Sequence, residues 1–310
     1  MPDATPGLHH VTALCGDPQE NVDFYVSCLG QRLVKKTVNF DAPDTYHLYY
    51  GDHAGSPGTI LTFFAFADAG PGRAGAGAAS AVAYSVPDLD AWMGRLASNA
   101  VDFDGPSDRF GQRMITFTDP HGMHVELVET GDAARDIDGT PADDGFHSVT
   151  LCVREADATA RVLRDVMGYD EGPEERGEDG AYRARFVAPG GSRASALDIL
   201  VTPEPSIARQ GTGSIHHIAF RAETDEIQRE WQERVRSAGL QVTPVIDRQY
   251  FNAIYFREPG GILFEIATDP PGFAVDEPAE TMGQSLKLPA QYEAQREAIE
   301  RVLRPVTIPA

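Results

Sequence analysis

The nine residues "GLHHVTALC" at 7–15 return in altered form as "GFHSVTLCV" at 145–153 and as "SIHHIAFRA" at 214–222. Histidine is uncommon, and adjacent pairs at the head of an apolar run are rarer. The first histidines of the three stretches, His9, His147 and His216, are 138 and 69 residues apart. A spacing in multiples of 69 predicts a fourth copy near residue 78. There "ASAVAYSV" (79–86) alternates apolar and small residues without the histidines.

Each copy continues alike. A polar turn and an amphipathic stretch follow the strand: 21–30, 89–99, 156–169 and 225–240. Gly30, Gly168 and Gly239 end three of these stretches, as left-handed helix caps do. Strand-like runs come next. Copies two and four close on hairpins, "MITFTDPHGMHVELVE" (114–129) and "AIYFREPGGILFEIAT" (253–268), each turning on Pro-X-Gly. The chain therefore reads as α+β, with four βαβββ modules at about 7–66, 79–130, 145–202 and 213–269. We expect an N-terminal domain over 1–135, a C-terminal domain over 144–270, and a tail over 271–310 with one helix at 291–303 packed across the body. The Gly/Ala/Pro-rich stretch 67–80 reads as a linker, and the acidic stretch near 170–180 as a solvated loop.

Composition narrows the function. There are 26 basic and 47 acidic residues, a net charge of −21, and only three lysines (Lys35, Lys36, Lys287). Such a surface repels nucleic acid and anionic lipid. It reads as halophile-like, the alternative being an acidic mesophilic protein. Cys15, Cys28 and Cys152 form neither a CxxC motif nor an even set, so each is expected to be a small buried hydrophobe. The longest apolar run, "ILTFFAFA" (60–67), is too short to span a bilayer, and the acidic N-terminus is no signal peptide, so a cytoplasmic protein is expected.

The repeat locates the chemistry. Side chains alternate along a strand, so at most one histidine of each pair is expected to face a shared cavity directly. Repeat positions select His10 and His217. Glu265 sits in the apolar strand "GGILFEIAT", where a lone buried carboxylate is costly. Two imidazoles and a carboxylate are the facial triad that holds a divalent metal with open positions. The competing reading is a set of hydrogen-bonded core histidines. "DPHGMHVELVE" imitates a ligand cluster with His121, His124 and Glu126, but its module lacks the strand-one histidine, and module three has Ser148 at that position. The inner modules thus read as a vestigial site, with His121 and His124 structural. Ligand survival suggests that module one pairs with four and two with three. His47 and His53 read as loop or surface groups, and Phe63 or Phe64 as the module-one counterpart of Glu265.

"RLVKKTVNFD" (32–41), "TYHLYYGD" (45–52), "YFREPGGILFEIATD" (255–269) and the tail resemble the vicinal oxygen chelate superfamily, which joins glyoxalases, bleomycin resistance proteins and extradiol dioxygenases. Within it the chain is similar, over almost its whole length, to ring-cleaving dioxygenases of the hydroquinone dioxygenase type. The resemblance implies two glyoxalase/dioxygenase-like domains with cupped, partly open mixed sheets. It implies an extradiol-type dioxygenase acting with O₂ on a hydroquinone or catechol, with Fe(II), or sometimes Mn(II), on His10, His217 and Glu265. His9, Thr12, His216, Arg248 and Tyr255 would form the supporting catalytic shell. Asn252-Ala253 stands where relatives commonly carry Arg-Ser, which bears on substrate choice. A glyoxalase-type lyase or isomerase and a non-catalytic resistance protein share the fold. Partners would be a small aromatic and O₂, with assembly into a homo-oligomer left open.

Overall fold

A computed structural model describes residues 3–131, 139–191 and 193–309. Every module begins with a strand, turns into a helix, and returns through further strands. Module one holds β1 (Leu8–Cys15), β2 (Arg32–Asn39), β3 (Ala42–Gly51) and β4 (Ile60–Ala65). Module two holds β5 (Ala78–Val86), β6 (Phe103–Arg109), β7 (Gln112–Thr118) and β8 (His124–Glu129). Module three holds β9 (Phe146–Cys152), β10 (Asp170–Arg176), β11 (Tyr182–Val187) and β12 (Ala196–Val201). Module four holds β13 (Ile215–Ala222), the short β14 (Ile246–Asp247), β15 (Phe251–Arg257) and β16 (Leu263–Pro271). Gly30, Gly168 and Gly239 all adopt positive φ, 70°, 78° and 82°, and end their helices as expected.

The strands form two eight-stranded, curled mixed sheets, so the fold is α+β. One runs β14-β15-β16-β13-β1-β4-β3-β2, the other β10-β11-β12-β9-β5-β8-β7-β6. Module one is thus joined to four and two to three, as ligand survival suggested. Each sheet draws one module from each half of the chain. Its seam is the antiparallel pair of two first strands: Val11 opposite Ile218 in β1–β13, and Val82 opposite Val149 in β5–β9. The apolar members of these strands face the helices, and one buried cluster runs through both sheets, including Val11, Val82, Val149, Ile218, Trp92 and Trp231. All three cysteines are buried and unpaired.

Two segments differ from the expectation. Residues 170–176 form the edge strand β10 rather than a loop. Its exposed glutamates and Pro173 suit an edge that must not pair with another chain. The stretch 67–80 is no free linker either: Pro71, Arg73 and Ala76 form bridges to Thr212, Arg209 and Ile207. The tail does pack across the body. Lys287 N–H donates to the Lys36 carbonyl, Tyr292 Oη donates to the Phe40 carbonyl, and Leu288, Ile299 and Leu303 are buried. Among the described residues no helix is long and apolar enough to cross a membrane.

Candidate metal centre

The paired histidines sit on β-bulges. Along the β1–β13 seam the register slips between Leu8 and His10, leaving His9 as the extra residue. It slips again opposite His216, between the pairs Thr12–His217 and Ala13–Ile215. A bulge breaks strict alternation and re-aims a side chain. In the first pair only His10 lines the cavity, as expected, but in the second His216 and His217 both do, which corrects the expectation there. The bulge also brings each pair into contact: His9 Nδ1 lies 2.9 Å from His10 Nδ1, and His216 Nδ1 lies 2.8 Å from His217 Nδ1. In each contact one nitrogen donates and the other accepts. The Nδ1 of His10 and of His217 is thereby occupied, and Nε2 is left to face the cavity.

The two Nε2 atoms meet Glu265. His217 Nε2 is 2.8 Å and His10 Nε2 3.4 Å from Glu265 Oε2, and the three side chains offer donor atoms all within 4.8 Å of one another. Glu265 is fully buried, yet neither of its oxygens, nor His217 Nε2, makes a hydrogen bond of proper geometry. The atoms approach closely without bonding to one another, as donor atoms grouped around a shared cation would. A buried, ionised carboxylate without hydrogen bonds is strongly disfavoured unless a cation faces it. Burial pushes the Glu265 carboxyl up, but the neighbouring His10 and His217 outweigh it and hold it below the usual carboxylate range. Burial in turn lowers the His217 imidazole, and brings His216 to about 4 and His9 well below its ordinary value. Neutral imidazoles and a charged carboxylate are the forms that bind a divalent metal. The donor set fits one.

Around it lies a cavity of about 430 Å³. Phe40, Phe64, Phe66 and Phe251 supply aromatic walls, and the Phe251 ring lies 5.0 Å from that of His10. Tyr255 edges onto His217 with ring centroids 5.9 Å apart, and Arg248 Nε donates to Tyr255 Oη at 3.2 Å. Arg248 also reaches Asp41, 3.4 Å away at the rim. Burial, reinforced by the Glu265 charge, raises the Tyr255 hydroxyl far above the ordinary tyrosine value, so it keeps its proton and donates. Thr12 lines the cavity beside His10.

Two expectations on module one are corrected. His47 is no surface group. It is buried, lines the cavity and bonds to Thr62 and Tyr49. The alternation Tyr46-His47-Leu48-Tyr49 on β3 carried that signal, because His47 and Tyr49 share the face opposite the core residues. The counterpart of Glu265 is Thr62, not Phe63 or Phe64. Glu265 pairs with Ala219 two residues past His217, and Thr62 pairs with Thr12 two residues past His10. Phe63 is core, while Phe64 lines the cavity one residue along. His53 does lie at the surface, against Arg32.

The second sheet repeats the construction with different contents. Its register places Ala81 and Ser148 at the ligand positions. Glu126 pairs with Ala83 and Asp198 with Thr150, as Glu265 does with Ala219. Here guanidinium groups supply the cation. Arg109 grips Glu126 with two bonds, 2.6 and 2.9 Å, and Arg185 grips Asp198 with two, 2.8 and 3.0 Å. The His121 side chain is buried near Glu20 and His124 is exposed. His147 keeps the bulge-pair contact, Nδ1 lying 3.0 Å from Ser148 Oγ. Burial, then the Arg185 charge, lowers its imidazole to about 4, Asp198 opposing. Above pH 6.5 it is neutral folded or unfolded. As the pH falls from 6.5 towards 4, the unfolded chain takes up a proton that the fold refuses, so stability drops by up to about 3 kcal/mol. Urea unfolding of His147→Gln should show a flatter fall over that interval; a slope equal to that of the parent would count against this assignment.

Comparison with known proteins follows the same lines. Residues 7–127 and 145–266 match the family described as the Glyoxalase/Bleomycin resistance protein/Dioxygenase superfamily. The chain is 47% identical to the Bacillus subtilis protein named "Putative ring-cleaving dioxygenase MhqO", covering 99% of both. It is 35% identical to the chlorohydroquinone/hydroquinone 1,2-dioxygenase of Sphingobium indicum, again covering 99% of both. A Bacillus subtilis crystal structure named "putative dioxygenase" superposes with a TM-score of 0.91 at 46% identity over 99% of each chain.

Proposed function

Because this chain belongs to the glyoxalase/bleomycin resistance protein/dioxygenase superfamily, we propose that it is a metal-dependent dioxygenase that opens the ring of a hydroquinone or catechol with O₂. The observation that carries the reading is the buried triad of His10, His217 and Glu265, without internal hydrogen bonds, at the floor of an aromatic-walled cavity. These three side chains would hold the metal, Fe(II) in first place and Mn(II) in second. Bound there, the metal supplies a Lewis acid for a phenolic oxygen and a redox partner for O₂.

The chain's own residues do the rest. His9 and His216 fix the tautomer of the two imidazole ligands. Phe40, Phe64, Phe66 and Phe251 sandwich a single ring and exclude water. Tyr255, held by Arg248, keeps its proton and donates to an oxygen near Glu265. Arg248 places a fixed positive charge beside negative charge developing on the substrate. Thr62, a far poorer metal ligand than a carboxylate, stands at the Glu265 position of module one, which favours an open, three-ligand site over a lyase site richer in carboxylates. Cleavage beside a hydroxylated carbon, the extradiol type, is the form we propose. Three unpaired, buried cysteines support a reducing, cytoplasmic setting.

The test is metal analysis of protein purified without added metal, then O₂ uptake after anaerobic Fe(II) loading with a panel of hydroquinones and catechols. Stoichiometric metal and uptake on a diol is the expected result. Bound metal with no uptake on any diol would overturn the dioxygenase in favour of a lyase or isomerase. Absence of metal binding would return the histidines to the core.

A further inference from the structure

Four residues of module one form a single hydrogen-bonded file along the cavity wall. Tyr49 Oη lies 2.8 Å from His47 Nδ1, His47 Nε2 lies 2.8 Å from Thr62 Oγ1, and Thr62 Oγ1 lies 3.0 Å from Thr12 Oγ1. All four are buried, and Tyr49, His47 and Thr12 line the cavity. The file ends beside the metal ligands, because Thr12 is paired directly opposite His217 across the seam.

The chemistry of the groups fixes a direction. A phenol has one proton, and among the described residues His47 Nδ1 is the partner placed for Tyr49 Oη. If Tyr49 donates to Nδ1, that nitrogen carries no proton and Nε2 must carry one. Nε2–H then donates to Thr62, whose hydroxyl can only pass its own proton on to Thr12. Thr12 accepts, and among the described residues its own proton is left free to point into the cavity that it lines. The opposite direction would require the Tyr49 oxygen to accept from His47 and turn the tyrosine proton away from the file, where no partner for it stands among the described residues. Burial above all holds the His47 imidazole well below its ordinary value, so it carries a single proton.

We propose that Tyr49, His47 and Thr62 are positioning residues that orient Thr12 as a polarised hydroxyl donor to a negatively charged oxygen on the open side of the His10–His217–Glu265 centre. Aligned donors in a dry site strengthen one another, and a pre-oriented donor aimed at developing charge lowers a barrier without reorganisation. The inference rests on the metal-centre reading for its purpose, and on the hydrogen-bond file alone for its direction.

The direction is tested in the metal-free protein by ¹⁵N NMR of labelled histidines, with His47 assigned by its absence in His47→Gln. The expected tautomer carries its proton on Nε2. A proton on Nδ1 would reverse the file and overturn the proposal, whatever the enzyme's reaction. Purpose is tested in the loaded enzyme. Thr12→Val should lower kcat roughly 10²-fold, the order of a lost charge-stabilising donor, with KM little changed. Tyr49→Phe should lower kcat roughly tenfold, about one ordinary hydrogen bond. The double variant should be no worse than Thr12→Val within about twofold, since both remove one unit. Thr12→Ser and His47→Gln, which keep donor and acceptor, should recover most activity. Multiplying losses, or a full-rate Tyr49→Phe, would show that the file is only structural. An Nε2–H tautomer without O₂ chemistry would leave the geometry standing and fail the proposed function instead.

Discussion

A His217→Ala protein is expected to retain less than a tenth of the parent's metal after purification and to lose turnover by more than about 10²-fold. Removal of an outer partner of a metal ligand typically costs 10–100-fold, and loss of a ligand itself exceeds that. The reason is local. His217 Nε2 is the donor nearest Glu265, and no other imidazole in the described structure has Nε2 in reach of that carboxylate except His10. Glu265→Gln gives the complementary result. It keeps the shape, removes the charge that the metal neutralises, and should abolish retention while the fold survives in urea unfolding. Metal analysis with circular dichroism separates the two effects. Full metal content with full turnover in His217→Ala would remove the centre from where we place it.

The second large effect is on stability, at Lys35. This side chain is fully buried on β2, with its ammonium 2.7 Å from Asp276 Oδ1 and 2.5 Å from Glu277 Oε1 in the tail, and over the ring of Tyr250. Lys35→Met removes the ammonium shared by the buried Glu277 and the partly exposed Asp276, leaving them neutral donors from Gln249, Tyr250 and Gly283 and the more distant Lys287, 3.9 Å from Glu277. Breaking such a pair from one side costs roughly 3–5 kcal/mol, whereas neutralising all partners costs far less. Urea unfolding should therefore show a loss of that order for Lys35→Met. Most of it should return in the triple variant Lys35→Met, Asp276→Asn, Glu277→Gln. A single variant as stable as the parent would mean that the cluster is solvated and of little weight. The disturbance should also reach the cavity, because Phe273 packs on both Tyr49 and Tyr250.

Much of this site was legible because the chain repeats itself. Comparing four copies picked out His10, His217 and Glu265 and set aside His121 and His124, and the structure brings the first three together and keeps the other two apart. What escaped was set by pairing between distant strands. A bulge exists only relative to its partner, so nothing local to His9 or His216 announces one. The counterpart of Glu265 was missed by one residue, because parallel register is decided across the sheet, and Thr62 rather than an aromatic faces Thr12. His47 was overlooked for its neighbours: "HLYYGD" resembles a turn approach, although its alternation with Leu48 and Tyr50 places it on the cavity face. The Lys35 cluster joins residues 241 and 242 positions apart and leaves no mark on either stretch.

The seam between β1 and β13 also has a consequence in time. His10 leaves the ribosome long before His217 and Glu265. Until they emerge, β1 lacks its antiparallel partner and β4 is its only neighbour in the sheet. The inner pair of modules is complete first and can close on itself through β5 and β9. The outer sheet must then form around it, with contacts spanning some two hundred positions, the kind of long-range closure that slows folding. On the reading proposed above, a nascent chain would be unable to capture a metal. His10, His217 and Glu265 come together only when the last module docks, so metal loading would report the completion of the fold.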